Sequence, residues 1–431
     1  MIEILLYIGG IALVALGIAV SIGWHELGHL IPAKLFGVKV PRYMIGFGPT
    51  LFSRKRGETE YGVKAIPLGG YITMIGMYPP ARPGAKVGKG FAAESIQAAR
   101  DAHSEHVGPG DKNRMFYQLS VLKRMVIMFG GPFMNLILGF ALTFGVLIGI
   151  GSYERSTTIV EISECVPSSF IEKVDCSASD AIGPAKQSGL MAGDVVTAVE
   201  GQQVRNWDQI TEYALANPGE LSFEVLRDQS KMSFSITPIL VERPSVTIDG
   251  KTLTQKLPFF GVVLEPERQP QTFAEALEYS GNVIGSTFEL IVTLPVQVVD
   301  LLSSTLSGEA RDSSGPVSIV GIGQAAGSIA SNSDADPLDK WASALMMLAS
   351  LNFALFALDM LPLLPLDGGH LAGAVYEALK KAAYRILGKP NPGPADTAQL
   401  MPLTYVVTAA LIVMSLILLV VDFVNPLSLG F

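Results

Sequence analysis

The sequence predicts a polytopic α-helical membrane protein with four transmembrane helices and a soluble, mixed α/β domain inserted between the second and third. Three observations carry this. Of 431 residues, 49% are hydrophobic and 16% charged, and the mean hydropathy is +0.40; average soluble proteins carry roughly 25% charged residues. Four apolar runs, Ile4–Ile22, Met125–Gly151, Trp341–Leu361 and Leu403–Phe423, are long enough to cross about 30 Å of hydrocarbon. The charges are also segregated. Residues 34–124 hold 15 Lys and Arg against six Asp and Glu, whereas residues 151–339 hold 11 against 26. By the positive-inside rule the first stretch is cytoplasmic and the second external, so both termini lie outside.

Taken in order, the first run has no Lys or Arg before Lys34 and no small-residue cleavage site. It therefore reads as a retained helix over residues 1–35 rather than a secretory signal. The cytoplasmic loop, 36–124, contains β-prone residues around a turn between Tyr61 and Gly76. A flexible insertion from Pro79 to Lys112 follows, with a short helix near Glu94–Ala102. The second span, 125–152, is interrupted early by Phe129-Gly130-Gly131-Pro132-Phe133-Met134-Asn135. Residues 157–266 have the cadence of a PDZ domain: a helix opening at Pro184–Ser188, a Gly-rich turn, and a strand from Val195. A second helix over Trp207–Ala216 and strands at Leu221–Val225 and Ser233–Ile236 complete it. A PDZ groove takes a peptide as an added strand at its sheet edge.

Residues 267–339 hold an apolar, helix-prone stretch broken by Glu275, Glu278, Glu289, Pro295 and Asp300, and then a Ser/Gly-rich connection. We expect an amphipathic segment on the membrane surface there rather than a further span. The third span, 340–370, carries Asn352 and Asp359 and breaks at Pro362-Leu363-Leu364-Pro365. Lys380, Lys381, Arg385 and Lys389 mark a cytoplasmic loop over 371–401, before the last span at 402–424. There is no internal repeat. The two cysteines, Cys165 and Cys176, are too few for a Cys-rich zinc module; in an external segment one local disulfide between them is expected ahead of the alternative, two unrelated thiols.

The chemistry centres on His25-Glu26-Leu27-Gly28-His29, an HExxH motif at the inner end of the first span. On a helix, positions i and i+4 share a face, so His25 and His29 reach one metal ion. Glu26 then stands beside the metal as a general base. Two surface histidines would be the bland alternative. Polar groups at bilayer depth are costly, however, and mark function more often than packing. A hydrolytic zinc site needs three protein ligands and one open position. Asp359, Asp367 and His370 are the candidates for the third. Asp367 is preferred because the prolines before it prevent a regular helix and Gly368-Gly369 after it permit a sharp turn, which together aim a carboxylate off the helix. The first and third spans both run inward, so the HExxH and Asp367 reach one depth toward the cytoplasmic face.

These residues, with Leu366-Asp367-Gly368 and a PDZ between the second and third spans, resemble the site-2 protease family of zinc intramembrane metalloproteases. Further points of resemblance are Gly46-Phe47-Gly48-Pro49, Pro67-Leu68-Gly69-Gly70-Tyr71, Phe129-Gly130-Gly131-Pro132 with Asn135, and Gly315-Pro316-Val317-Ser318. A single PDZ with paired cysteines is most similar to the actinobacterial members. The resemblance implies zinc bound by His25, His29 and Asp367, one per chain, with Glu26 as general base. It implies a membrane-dipping β-hairpin in which Gly69, Gly70, Tyr71 and Ile72 hold substrate as an extended strand, with Asp359 as a further substrate contact and Asn135 either another such contact or a hydrogen bonder in helix packing. Asp359 departs from the family, which has Asn at that place. The implied location is a bacterial plasma membrane with the PDZ outside. The implied substrates are single-span membrane proteins such as anti-sigma factors, or remnant signal peptides, cut after a first external cleavage in a stress response. No nucleic-acid partner is expected. Two other readings stay open at this stage: a metal transporter lined by His25, His29, Asp359 and Asp367, and a non-catalytic PDZ scaffold in the membrane.

Overall fold

The structure, a computed structural model, describes residues 2–81, 90–104, 107–166, 176, 180–248, 251–308, 311 and 315–426. The chain forms two compact units, Met1–Gly149 with Thr272–Phe431, and Ile150–Gln271.

In chain order, helix α1 (Ile2–Leu35) is followed by strands β1 (Arg42–Arg56) and β2 (Thr59–Thr73), helix α2 (Phe91–Ser104) and helix α3 (Val121–Phe144), which runs on as one π turn to Ile150. The second unit holds β3 (Ser152–Ile162), α4 (Pro184–Ser188), β4 (Val195–Val199), β5 (Gln202–Gln203) and α5 (Trp207–Ala216). Its remaining strands are β6 (Leu221–Arg227), β7 (Ser230–Ile236), β8 (Ile239–Ile248), β9 (Lys251–Phe259) and β10 (Val262–Gln269). The chain then returns to the first unit with α6 (Phe273–Ser307), α7 (Ile319–Ser331), α8 (Pro337–Asp359), α9 (Asp367–Ile386) and α10 (Met401–Val424).

Among the described residues, five helices are long and apolar enough to cross a membrane: Ile2–Leu35, Val121–Ile150, Phe273–Ser307, Pro337–Asp359 and Thr397–Val424. The sequence led us to expect four; the additional one is α6. It starts at a capping box in which Thr272 accepts from the Glu275 N–H and Glu275 reciprocates. Phe273 meets Phe144 at the far end of α3, Phe288 meets Phe356 near the end of α8, and Val298 and Leu301 cluster with Leu418 and Val421 near the end of α10. Helices α3 and α10 both begin beside Glu377, to which Arg124 and the Ala395 N–H bind. The two ends of α6 therefore lie toward the same ends of its neighbours.

The hairpin differs from expectation. Its turn is at Gly57-Glu58, and the Pro67–Tyr71 stretch, expected at a turn, runs through β2 instead. The ladder is curled. Residues 42–45 of β1 pair with 60–63 on one side and with 70–73 on the other, so the stretch 70–73 forms an edge with one side taken. Gly69 has φ +104°, which allows the chain to bend back there. Beneath the hairpin Val38, Val40, Met74 and Phe116 pack with Leu30 of α1 and Ile127 and Met128 of α3.

The third span also ends earlier than expected. Helix α8 stops at Asp359, the prolines form the connection, and Asp367 opens a new helix, α9, which runs on through 386 into the stretch 371–401 expected to be a loop. Gly368 and Gly369 therefore lie within a helix and do not supply a sharp turn. A Cβ on Gly368 would strike the Leu361 carbonyl, and one on Gly369 the backbone of Leu363 and Leu364, so the glycines let α9 start tight against the connection.

The second unit is built on a sheet of order β10-β3-β4-β6-β7, with β5 beside β4 and a separate β8-β9 ladder. Trp207, Ile210, Phe223, Val225, Ile236 and Phe260 form its core. Helices α4 and α5 coincide with the expected ones, and α5 starts where Asn206 accepts from the Gln209 N–H. Strands β3, β5, β8, β9 and β10 were not anticipated. Cys165 and Cys176 are joined in a disulfide.

Candidate metal centre

Helix α1 projects His25 and His29 one turn apart on the face it turns to α3. Three polar contacts hold this part of the helix. Trp24 Nε1 donates to the Met134 carbonyl at 3.0 Å, Tyr43 Oη donates to the Gly23 carbonyl at 2.6 Å, and Asn352 Nδ2 donates to Ser21 Oγ at 2.9 Å. Helices α1 and α3 touch at their glycines. A Cβ on Gly28 would collide with the Gly130 carbonyl, and one on Gly130 with the Gly28 carbonyl. Only glycine permits backbones so close.

The start of α9 brings Asp367 to the same place. Its Oδ2 lies 2.9 Å from His29 Nε2 and 3.3 Å from His25 Nε2, and the two Nε2 atoms are 3.1 Å apart. Among the described residues, no other group of three His, Cys, Asp or Glu side chains converges in this way. His29 Nδ1 is 2.7 Å from the Ile127 carbonyl. A carbonyl only accepts, so Nδ1 carries the proton and Nε2 is left bare as a ligand.

The donor set, two imidazole nitrogens and one carboxylate oxygen, is that of a hydrolytic zinc site with a position to spare. The space fits too. Gly131 of α3 faces the cluster, and a Cβ there would fall against His29 Nε2 and 2.7 Å from His25 Nε2. A larger residue would fill the room that an ion needs.

Of the three candidates for the third ligand, only Asp367 joins the cluster. Asp359 ends α8 on the far side of the His25 ring, with Oδ2 3.7 Å from Nδ1. His370 turns away toward Tyr78, at 6.0 Å between ring centroids. Asn135 is buried on α3, with Nδ2 3.1 Å from His25 Nδ1. Glu26 is 8% exposed, and its carboxylate lies close to the backbone of Ile72, at the edge of β2. Gly70 lies against the same side chain: a Cβ there would come 3.1 Å from Glu26 Cγ. Gly69 and Tyr71 flank it in β2, with Tyr71 stacked on Phe47.

A buried glutamate beside a cluster of two imidazoles and a carboxylate, set among apolar helices, is the arrangement expected of one class: the membrane-embedded metallopeptidases. Residues 13–387 match peptidase family M50. The chain is 32% identical over 437 residues to the zinc metalloprotease Rip1 of Mycolicibacterium smegmatis, covering 97% of this chain and 98% of that protein. It is 30% identical over 443 residues to the zinc metalloprotease Rip1 of Mycobacterium tuberculosis, covering 99% and 100%. Identity to the zinc metalloprotease RasP of Shouchella clausii is 27%, over 83% and 87% of the two chains. The chain belongs to peptidase family M50, the site-2 proteases, and is most like the actinobacterial members. It is a multi-pass membrane metalloprotease with zinc as its cofactor.

Four glycines of the site, Gly28, Gly130, Gly131 and Gly70, and the Ile127 carbonyl had no role assigned from their chemistry alone. The Gly-Gly pair inside an apolar run was the one available signal, since a glycine in a helix costs stability and needs a reason.

Proposed function

We propose that His25, His29 and Asp367 hold the zinc, that Glu26 is the general base, and that the protein cuts peptide bonds in the transmembrane segments of single-span proteins. The observation that carries this is the convergence of two α1 imidazoles with a carboxylate more than three hundred residues away, beside a buried glutamate. A zinc ion held by these three side chains would make a bound water far more acidic and would polarise the scissile carbonyl. Glu26 takes the proton from the attacking water as its oxygen bonds to the carbonyl carbon. It then passes that proton to the nitrogen as the C–N bond breaks, so that the amine leaves neutral. His29, fixed by the Ile127 carbonyl, keeps its ring aligned throughout.

A transmembrane substrate is helical and its carbonyls are occupied, so it has to unwind. The pairing of 70–72 with β1 on one side only, beside Glu26, supports a role for Gly69–Ile72 as the template. An extended segment adding there replaces the lost hydrogen bonds and lies beside Glu26. Asp359, at the end of α8, is a further contact for that segment.

We assign the second unit as a single PDZ domain on the external side. Its two helices, its edge strand β10 and the acidic excess of residues 151–339 support this. It acts as a filter that admits substrates whose outer domain has been removed. On this reading both termini lie outside and the zinc lies toward the cytoplasmic face of a bacterial plasma membrane. It retains four crossings, with α6 entering and leaving from one side. On this reading the substrates are anti-sigma factors and remnant signal peptides, and the protein serves regulated intramembrane proteolysis during stress.

The test is reconstitution of the Glu26→Gln variant with a tagged single-span substrate. Cleavage should be lost while the protein stays folded. Cleavage at the unaltered rate would refute the mechanism.

A further inference from the structure

The two histidines are not held alike. His29 has a backbone carbonyl on Nδ1, which settles where its proton sits. His25 has Asn135 and Asp359 instead. Its Nε2 faces His29 and Asp367, so it ligates through that atom, and a neutral imidazole that ligates through Nε2 carries its proton on Nδ1. That N–H needs an acceptor. As placed, the Asn135 amide points its Nδ2 donor at this nitrogen, while its Oδ1 is buried without a partner among the described residues. Two donors face to face repel, and amide oxygen and nitrogen occupy interchangeable positions.

We infer that Asn135 is the positioning residue for His25: turned over, its amide presents Oδ1 to the Nδ1–H and fixes the ring for metal binding. This rests on the metal centre proposed above. It gives Asn135 a task distinct from substrate contact. Asn135 is 1% exposed and sits on α3, the helix that also supplies the Ile127 carbonyl to His29. One helix therefore orients both imidazoles of its neighbour, through a main-chain acceptor for one and a side-chain acceptor for the other. Groups that orient ligands in this way are worth roughly 10–100-fold in metal affinity.

The test uses the full chain in detergent, with zinc affinity measured by chelator competition and the ligand field by the visible spectrum of the cobalt-substituted protein. Asn135→Leu removes the acceptor and should weaken zinc by about 10–100-fold and shift the cobalt bands. Asn135→Asp keeps an acceptor and removes the donor, and should recover most of the affinity. An Asn135→Leu variant that binds zinc as the unaltered protein does would overturn the inference. So would an Asn135→Asp variant as weak as Asn135→Leu, because donation or packing would then be the role. Should the leucine variant not fold, the aspartate variant alone decides: near-normal affinity supports the inference and a tenfold loss overturns it. In the unaltered zinc-loaded protein, nitrogen NMR of labelled histidine should find His25 protonated on Nδ1, and a bare Nδ1 would also overturn it. His25→Ala is the control: if it keeps its zinc, the metal-centre proposal itself fails, whereas loss there with no effect at Asn135 removes only this inference.

Discussion

Gly131 contributes to the site by having no side chain. A methyl group at that position would lie against both Nε2 atoms, where an ion has to sit. Gly131→Ala is therefore expected to lower zinc affinity at least tenfold, the order reached by disturbing a ligand's surroundings, with a much smaller effect on the melting temperature. Chelator competition and a thermal melt on the same sample check this. The histidines and Glu26 were legible in the sequence because the i, i+4 spacing is itself the chemistry. The convergence of Asp367 with the two histidines was legible by choosing among three polar residues in apolar surroundings, although its glycines pack a helix start and do not bend the chain. Gly131 and the Ile127 carbonyl were not legible as site groups, because an absent side chain and a backbone oxygen leave no distinctive residue type.

At the scale of elements, helix α7 is anchored by a buried ion pair. Asp422 of α10 accepts from Arg311 at 2.5 Å and from the N–H groups of Ser318 and Gly321 at 2.7 and 3.1 Å, while Arg311 also donates to the Pro316 carbonyl at 2.6 Å. Asp422 thus caps the start of α7 and neutralises a cation that is itself 1% exposed. Removing one partner of such a pair strands the other charge, at a cost of about 3–5 kcal/mol. Asp422→Ala should lower the thermal stability of the protein in detergent sharply, and the double change Asp422→Leu with Arg311→Met should restore part of it. The Gly315–Ser318 motif was visible as a family resemblance, but its partner on the last helix was not. Asp422 stands in the sequence as a lone acid near the end of an apolar run. The hairpin turn was misplaced for a related reason. Pro67 and Gly69-Gly70 are turn formers locally, yet β1 reaches around them and pairs with both arms of the curl, a long-range effect without a local signal.

For the whole molecule, hydropathy and charge segregation fixed most of the helices before any packing was known, since a bilayer imposes length and polarity directly. They did not decide α6, whose acids and proline suit either a surface segment or a dip between neighbours. In the second unit the helices were legible from caps and small residues. The β8-β9 ladder was not, because it lies outside the pattern that suggested the domain. That unit has its own acid-sensitive tie. Asp194 is buried, which pushes its carboxyl up, but Arg227 at 2.6 Å and the Met191 N–H at 2.8 Å outweigh burial and hold it below the ordinary carboxylate range. A depressed folded-state pKa contributes stability that is present above the unfolded value of about 4 and is lost as pH falls through the folded value. Hydrogen exchange in β4 and β6 should therefore stay slow from pH 7 to 5 and accelerate below about pH 4. Arg227→Ala should move that onset to higher pH.

Zinc content tests the central claim most directly. In the purified full chain, metal analysis should find one zinc per chain in the unaltered protein and in Glu26→Gln. Zinc should fall to near zero in His25→Ala, His29→Ala and Asp367→Ala, with each variant checked for folding. Stoichiometric zinc retained in Asp367→Ala would contradict the account, because the ligand that closes the site would then have to come from elsewhere.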